Sequence, residues 1–259
     1  LFMKISIVTA AYNSGATLRD TMESVLRQTY KDIEYIVVDG GSGDDTMDIV
    51  REYEPLFGGR MRYVSEPDRG IYDAMNKGIG MATGDVVGIL NSDDLFFDDC
   101  VVIDIANSFS EEVDAVCGNL YFVKEDDINF IVRAWKGSPY KSFRKGWHPA
   151  HPTFYVRREV YEKYGLFDIS FDVSADFELM LRFIEKYKIK VRYVERYMVK
   201  MRVGGESTGT IKNIIKGNRN VLRAFNKNGI KVSPFYLLFR LVPKAVGMIK
   251  YKLFGSHSA

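Results

Sequence analysis

Cysteine is the scarcest signal in this 259-residue chain, with two residues, Cys100 and Cys117. They have neither the C-x-x-C spacing of a redox or zinc site nor the number for a disulfide framework, which fits a reducing compartment. Long apolar runs are also missing. No stretch reaches the roughly 18 uninterrupted apolar residues that a spanning helix needs. The chain enters a strand with no basic start and apolar signal core before it, so export is not expected. No G-x-G-x-x-G follows the first strand, and no G-x-x-x-x-G-K-[ST] occurs anywhere. Those absences argue against a dinucleotide dehydrogenase and a P-loop NTPase. Internal repeats and low-complexity linkers are lacking too.

What is present is an apolar, alternating pattern. With 46% of its residues hydrophobic, the chain is long enough for one large α/β domain plus an appendage. The first hundred residues repeat an apolar strand, a turn bearing glycine or asparagine, and a helix with apolar positions at helical spacing. Lys4 to Thr9 runs into Ala11-Tyr12-Asn13-Ser14-Gly15. The helix that follows has Leu18, Met22, Val25 and Thr29 on one face, with Asn13 or Ser14 available as cap. Ile33 to Val38 leads into Asp39-Gly40-Gly41-Ser42-Gly43-Asp44 and a short helix through Ile49 and Val50. Met61 to Ser65 leads into Glu66-Pro67-Asp68-Arg69-Gly70 and a helix with Ile71, Ala74, Met75, Ile79 and Ala82 inward. Crossover connections put the C-terminal ends of such strands on one edge of a parallel sheet, so the turns are expected to converge on one crevice.

The most telling of these turns is Asn91-Ser92-Asp93-Asp94, directly after the apolar stretch Asp85 to Leu90. Acidic residues at the end of a buried strand suit a hard divalent cation, although aspartates there are also ordinary turn residues. Glycine-freed amides and helix N-termini favour an anionic ligand such as a diphosphate. Asp93 beside such amides makes sense when a cation bridges the two. Asp39, away from the phosphates, suits hydrogen bonds from a base or ribose, and Tyr12 offers a flat face for stacking. Each also has a plainer role, as turn residue and as core.

Asp176 precedes the helical run Phe177, Met180, Leu181, Ile184 and Tyr187, which puts it in a first turn with Ser174 as cap. The helix dipole alone favours an aspartate there, so the pattern is compatible with either structure or catalysis. His148 and His151, in GWHPAHPTFY, are candidates to hydrogen-bond an acceptor or a product phosphate. Histidine in such an aromatic, proline-bearing segment also serves structural roles. Between Gly118 and Pro149 a strand pair is expected around Leu120 to Val123 and Ile128 to Trp135, shaping the acceptor side.

These segments resemble the family 2 glycosyltransferases of the GT-A fold, especially bacterial members that build surface polysaccharides. The residues that carry the resemblance are SIVTAAYNSGATLRDTMESVLRQTY, IVVDGGSGDDT, EPDRGIYDAMNKGIGMATGDVVGILNSDD and ADFELMLR, in order over roughly residues 4 to 185. The fold it implies is an α/β, Rossmann-like, mixed but mostly parallel central sheet flanked by helices, with a C-terminal helical appendage. A catalytic domain would span 1–205, with a donor half of about 1–100 and an acceptor half of about 101–205, and a basic amphipathic helical tail would span 206–259. Thr9, Ala11 and Tyr12 would line the nucleoside pocket, Asp39 would face the base, and Asp68 and Asn76 would belong to the donor-site wall. Asn91, Ser92 and Asp93 would stand at the D-x-D motif, with Asp93 as metal ligand for Mg²⁺ or Mn²⁺. Asp176 would be the catalytic base, with His151 on the acceptor side. The activity implied is inverting transfer of a sugar from a nucleotide-sugar donor, UDP-linked by preference, to a hydroxyl of a glycan acceptor carried on a lipid.

Two departures qualify the resemblance. Many relatives read D-D-G-S after the second strand, whereas Gly40 follows Asp39 here, so a carboxylate able to contact the base is missing. Asn91 replaces the first aspartate of D-x-D; it can hydrogen-bond a ribose or a metal-bound water but adds no charge. One carboxylate with diphosphate oxygens and waters still satisfies Mg²⁺ or Mn²⁺.

The near-neutral total of +2 hides a division, because Lys212 to Lys252 contains ten basic residues and no acidic ones. Ile211, Ile214, Ile215, Asn218, Leu222 and Phe225 fall on one helical face, with Lys212, Lys216, Arg219 and Arg223 mostly elsewhere. After Ser233-Pro234 comes FYLLFRLVPKAVGMIKYKLF, apolar but interrupted by charge. Such a stretch suits the interface of an anionic leaflet and a cytoplasmic, peripheral location at the inner face of the membrane. Packing on the domain, or on a second subunit of a homo-oligomer, is the alternative. No nucleic-acid recognition module is present. A nucleotidyltransferase would need a basic, glycine-rich loop near the first strand, which TAAYNSG is not; a non-catalytic nucleotide-sugar-binding module remains the rival from outside the enzymes.

Overall fold

The computed structural model describes residues 3–204, 211–233 and 235–237, with side chains of 211–214 left aside. Among these residues nine strands form one sheet in the order β3-β2-β1-β4-β8-β6-β9-β5, with β7 paired to β6. The first four strands are β1 (Ile5–Ala11), β2 (Ile33–Asp39), β3 (Met61–Ser65) and β4 (Val86–Ile89), all mutually parallel. They alternate with α1 (Leu18–Leu26), α2 (Thr46–Tyr53) and α3 (Ile71–Met81). Both β1 and β2 are buried along their whole length. That is why they read as continuous apolar runs, a parallel sheet being covered on both faces.

The second half is less regular. β5 (Leu95–Phe96), α4 (Val101–Asn107), β6 (Ala115–Val123), β7 (Ile131–Trp135), β8 (Tyr155–Arg157), α5 (Arg158–Tyr164), α6 (Ala175–Leu181) and β9 (Val191–Arg202) follow in chain order. β8 runs antiparallel between β4 and β6, β5 and β7 pair antiparallel with β9 and β6, and β6 and β9 are parallel to each other. Six strands therefore point one way and three the other, the mixed, mostly parallel sheet that the resemblance implies.

Two apolar layers sandwich the sheet. On one side Leu18, Met22 and Val25 of α1 and Ile49 and Val50 of α2 pack with Ile5, Ile7 and Val37. On the other, Ala74, Met75 and Ile79 of α3 join Val8, Ile36 and Val38, and the same layer continues through Phe177 and Leu181 of α6. Full burial of one such side chain stabilises by roughly 1.5–3 kcal/mol. Gly78 sets how closely α3 lies on β1: a Cβ there would come within 2.3 Å of Val8 Cγ1. The helix α7 (Ile211–Lys227) packs on α6 through fully buried Val221 and Ala224 and through Phe225.

Several local expectations change. Helix α1 begins at Leu18 with Thr17 preceding it and no side-chain cap, so neither Asn13 nor Ser14 caps it, and Thr29 lies beyond its end. Both side chains are needed elsewhere, on the neighbouring turns. Ser174 does not cap α6 either: it is left-handed at φ 71, with no side-chain cap bond. The last part of that helix winds as a π turn over Arg182–Lys186. β7 is shorter than expected, starting at Ile131. Of the tail, residues 205–210, 234 and 238–259 lie outside the described residues, and with them most of the stretch expected at a membrane.

Candidate active site

Parallel register aligns the ends of β1, β2 and β3, with Ala11 beside Asp39 and Asp39 beside Ser65. Hydrogen bonds then tie the turns after β1, β2 and β4 into one floor. Asn13 donates its N–H to Ser42 Oγ at 2.8 Å and accepts from the Gly43 N–H at 2.9 Å. The Ser14 N–H donates to Thr46 Oγ1 at 2.7 Å, and the Ser14 and Ser92 hydroxyls are 2.8 Å apart. The hydroxyls of Thr17, just before α1, and of Thr21 within it donate to the Ser92 carbonyl at 2.9 and 3.0 Å, and Thr21 also reaches the Asp94 carbonyl at 2.6 Å. The acidic run is thus held by the helix that begins after β1.

Within this floor the expected donor residues divide. Tyr12 is 65% exposed, leaving its ring available to a ligand. Ala11 is buried. Thr9 is buried as well: its hydroxyl donates to the Leu90 carbonyl at 2.7 Å and accepts from Tyr35 at 3.1 Å, bracing β4 against β1. Asp39 is fully buried, and its carboxylate accepts from the N–H groups of Gly41 and Ser42 and from the hydroxyls of Ser42 and Ser65, the last at 2.6 Å. Asp39 thus shapes the loop after β2, with both carboxylate oxygens accepting bonds from that loop and from Ser65. Asn76 is engaged in the same manner. Its amide donates to the Phe167 carbonyl and accepts from the Phe167 N–H, both at 2.9 Å, so it clamps the segment before α6 instead of lining the crevice. Asp68 remains half-buried, with Oδ1 accepting from the Gly70 N–H at 2.8 Å.

The acidic run is electrostatically graded. Asp94 is fully buried, and burial together with the adjacent Asp93 charge pushes its carboxyl well above the usual range. Asn91 donates from Nδ2 to Asp94 Oδ2 at 3.2 Å, while Asn91 Oδ1 and Asp94 Oδ1 are buried acceptors with no hydrogen-bond partner. Asp93 is half-buried; burial raises its pKa, Glu125 adds to this, and Arg202 and His151 oppose it. Arg202, at the end of β9 and 5% exposed, donates from Nη1 to the Asp93 carbonyl at 2.6 Å and pairs with Asp20. Among the described residues no three His, Cys, Asp or Glu side chains group to hold a metal. One accessible carboxylate, next to orphaned buried oxygens, fits a hard cation that keeps diphosphate and water oxygens in its shell.

Asp176 enters from the second half of the chain. Its Oδ1 accepts from the Tyr72 hydroxyl at 3.3 Å. Burial, reinforced by Asp176, pushes the Tyr72 phenol well above its ordinary pKa, so it stays a donor. The turn before Asp176 is held by α7: Asn220 donates to the Val173 carbonyl at 2.8 Å, Arg223 to the Ser170 carbonyl at 3.0 Å, and Lys216 and Lys227 pair with Asp172 and Asp168. Three of the cations expected on a membrane-facing surface are thereby engaged within the domain. His151 lies in a 3₁₀ turn (His151–Thr153), within electrostatic reach of both acids. Burial lowers its pKa while Asp176 and Asp93 oppose the shift. An imidazole within reach of both acids can exchange hydrogen bonds with a bound alcohol or phosphate. His148 instead packs its ring on Trp135 and Phe177 at centroid distances of 5.2 and 5.6 Å.

Tyr72, Arg202, Thr21 and Asn220 were not singled out from the sequence. Tyr72 lies two residues after the Glu66–Gly70 turn, which is the local signal for it. For Arg202 and Asn220 the partners lie more than forty residues away in the chain, with separations of 109 and 47.

A sheet whose parallel strand ends gather acids and polar turns in one crevice defines an α/β fold with its ligand site at those ends. The model for glycosyl transferase family 2 matches residues 6–186, and the chain belongs to this family of glycosyltransferases. It is 34% identical over 182 residues to an uncharacterized glycosyltransferase of Mycobacterium tuberculosis, covering 69% of this chain and 68% of the relative. It is 30% identical over 182 residues, 68% of each, to a PGL/p-HBAD biosynthesis glycosyltransferase of Mycobacterium bovis. Among solved structures it is similar to the mannosyltransferase PcManGT of Pyrobaculum calidifontis in complex with GDP-Man and Mn²⁺ (TM-score 0.65, 20% identity, 98% of this chain and 76% of that one). It is equally similar to S. aureus TarS 1–349 in complex with UDP-GlcNAc (TM-score 0.65, 16% identity, 98% and 77%), and spans 44% of the longer TarS chain. At those identities the likeness is one of fold, GT-A.

Proposed function

We propose that this glycosyltransferase moves a hexosyl or N-acetylhexosaminyl group, with inversion, from a UDP-linked donor to a hydroxyl of a glycan acceptor in cell-surface polysaccharide assembly. The observation that carries this reading is the Tyr72 hydrogen bond that ties Asp176, from the second half of the chain, to α3 of the first, with Asp93 and Asp176 both within electrostatic reach of His151. Tyr12 and Asp68 flank the nucleoside, and Asn91, Ser92 and Asp93 underlie the diphosphate. Asp93 would hold Mg²⁺ or Mn²⁺, which when bound neutralises charge on the departing nucleoside diphosphate. Asp176 takes the proton of the attacking hydroxyl, oriented by the Tyr72 hydrogen bond, and His151 binds on the acceptor side. With one such base and no second carboxylate set as nucleophile, a single displacement inverts the sugar carbon.

No helix among the described residues is long and apolar enough to cross a membrane. A lipid-carried acceptor would be met at a membrane surface, which the exposed residues Ile215, Arg219 and Leu222 of α7 and the basic segment beyond it suit. The division into a catalytic body over 1–205 and a basic tail over 206–259 belongs to the same proposal.

A donor panel with purified protein and Mn²⁺ or Mg²⁺, scored by nucleoside diphosphate release with and without acceptor, tests the function. Release from a UDP-sugar that depends on metal and rises with acceptor is expected. Binding of nucleotide sugar without turnover under any of these conditions would leave a binding module as the better description.

A further inference from the structure

The loop after β2 has an odd feature that the turn geometry does not require. Gly41 occupies the left-handed region at φ 82, where glycine is favoured, but Gly40 does not. Gly40 lacks a side chain for want of room. A Cβ built on it would lie 2.5 Å from Asp68 Oδ2 and 3.3 Å from Tyr12 Cδ2. The Asp68 carboxylate, reaching over from the turn after β3, fills the place that a side chain at position 40 would occupy. It does so beside the one exposed aromatic ring of the crevice floor, Tyr12, at 65% exposure.

The two Asp68 oxygens are not equivalent. Oδ1 is held by the Gly70 N–H at 2.8 Å, and no described donor is bonded to Oδ2. Asp39, which precedes Gly40, has its oxygens occupied by Gly41, Ser42 and Ser65. Asp68 Oδ2 is an acceptor open to a flat ring stacked on Tyr12.

We infer that Asp68 is the specificity-determining residue for the nucleotide base, and that Gly40 exists to admit it. This rests on the reading of the crevice as a donor site and deepens it. A carboxylate oxygen only accepts, so it selects a base that presents a ring N–H. Uracil and thymine offer a single imino N–H between two carbonyls, which matches one free oxygen. Guanine presents two adjacent donors, best met by a carboxylate with both oxygens free. Cytosine and adenine offer an amino donor only beside a ring-nitrogen acceptor, so a carboxylate there meets one attractive and one repulsive group. The substrate class is thus a pyrimidine-dione nucleoside diphosphate sugar.

Titration calorimetry of the whole protein with UDP, TDP, GDP, CDP and ADP, each with Mg²⁺, tests this without turnover. UDP and TDP are expected to bind about tenfold or more tightly than the other three, the size of one hydrogen bond to a charged acceptor. Asp68→Leu, which keeps the shape and loses the acceptor, should bring the UDP and CDP affinities within about twofold of each other. Asp68→Asn retains a carbonyl acceptor and should restore part of the preference. Gly40→Ala should also level the preference by displacing Asp68, with melting temperature as the control for folding. An unchanged ratio of UDP to CDP affinity in Asp68→Leu would overturn the assignment while leaving the donor site intact. A wild-type preference for GDP would overturn the single-oxygen argument. Failure of every nucleoside diphosphate to bind would overturn the donor-site reading together with this one.

Discussion

β1 to β4 and the strands that follow them reach the same edge of the sheet by different means. In the first half β1, β2 and β3 are each followed by a helix and a parallel neighbour, so an end residue such as Asp39 is fixed beside Ala11 and Ser65 by ladder register. In the second half β8 reverses direction between β4 and β6, and β5, with two residues, attaches to β9. There Asp176 and His151 sit on short helical turns, not on strand ends. Their positions depend on bonds from distant parts of the chain, Tyr72 to Asp176 and α7 to the turn before it. Register makes the donor side of the crevice local and robust; the acceptor side is an assembly of long-range contacts, and α7 is part of it.

The sharpest way to separate the halves is to remove the acid that each contributes. Asp176→Asn is expected to lower transfer about 10²–10⁴-fold, with nucleoside diphosphate affinity in calorimetry unchanged. Asp93→Ala should lower it about 10²–10³-fold and should abolish the effect of Mn²⁺ on nucleotide affinity. If Asp176→Asn weakens nucleotide binding as much as Asp93→Ala does, the division of labour fails.

Tyr72→Phe probes the bond that joins the halves. Loss of one hydrogen bond to a carboxylate should lower kcat about tenfold with donor KM unchanged, and the effect should vanish in an Asp176→Asn background. Equal losses in both backgrounds would make Tyr72 a packing residue.

Glu34 marks the opposite edge of the first half. Ser6, Thr83 and Arg62 hydrogen-bond its buried carboxylate, and although burial opposes them they lower its pKa from 4.5 to about 2. Because the folded value lies below the unfolded one, its contribution is complete above the ordinary carboxylate range and is lost as pH falls from about 4.5 toward 2. Glu34→Gln should cost about 1–2 kcal/mol at pH 7, a figure reduced for the partial exposure of Arg62 and Lys4, and should flatten the acid limb of stability without changing kcat. Denaturant titrations at pH 7 and 3.5 measure this.

The smallest effect is expected at Lys227→Ala, which removes a half-exposed pair with Asp168. A stability change below about 1 kcal/mol is anticipated. A larger loss of kcat than of stability would show that α7 controls the turn carrying Asp176.

The strands, α3 and the acidic run were legible because apolar periodicity and turn residues are local signals. The same signals placed Asp176 in a first helical turn. They offered Ser174 as a cap, whereas it is left-handed at φ 71 and makes no side-chain cap bond. The turn suggested Asp39 for the base and the resemblance implied Asn76 for the donor-site wall, but a sequence shows that a polar group is present and not which partner it already has. Asp39 finds Ser65, 26 residues on, and Asn76 finds Phe167, 91 residues on.

By itself the order of residues determined the alternation of strands and helices, the edge on which the polar turns gather, and the acids offered there, because backbone geometry converts residue spacing directly into facing and direction. Tertiary structure alone decided which of those polar groups remain free. Hydrogen-bond capacity is finite, and partners brought together across the chain occupied Asp39 and Asn76 while leaving Tyr12 exposed and Asp68 with an open oxygen.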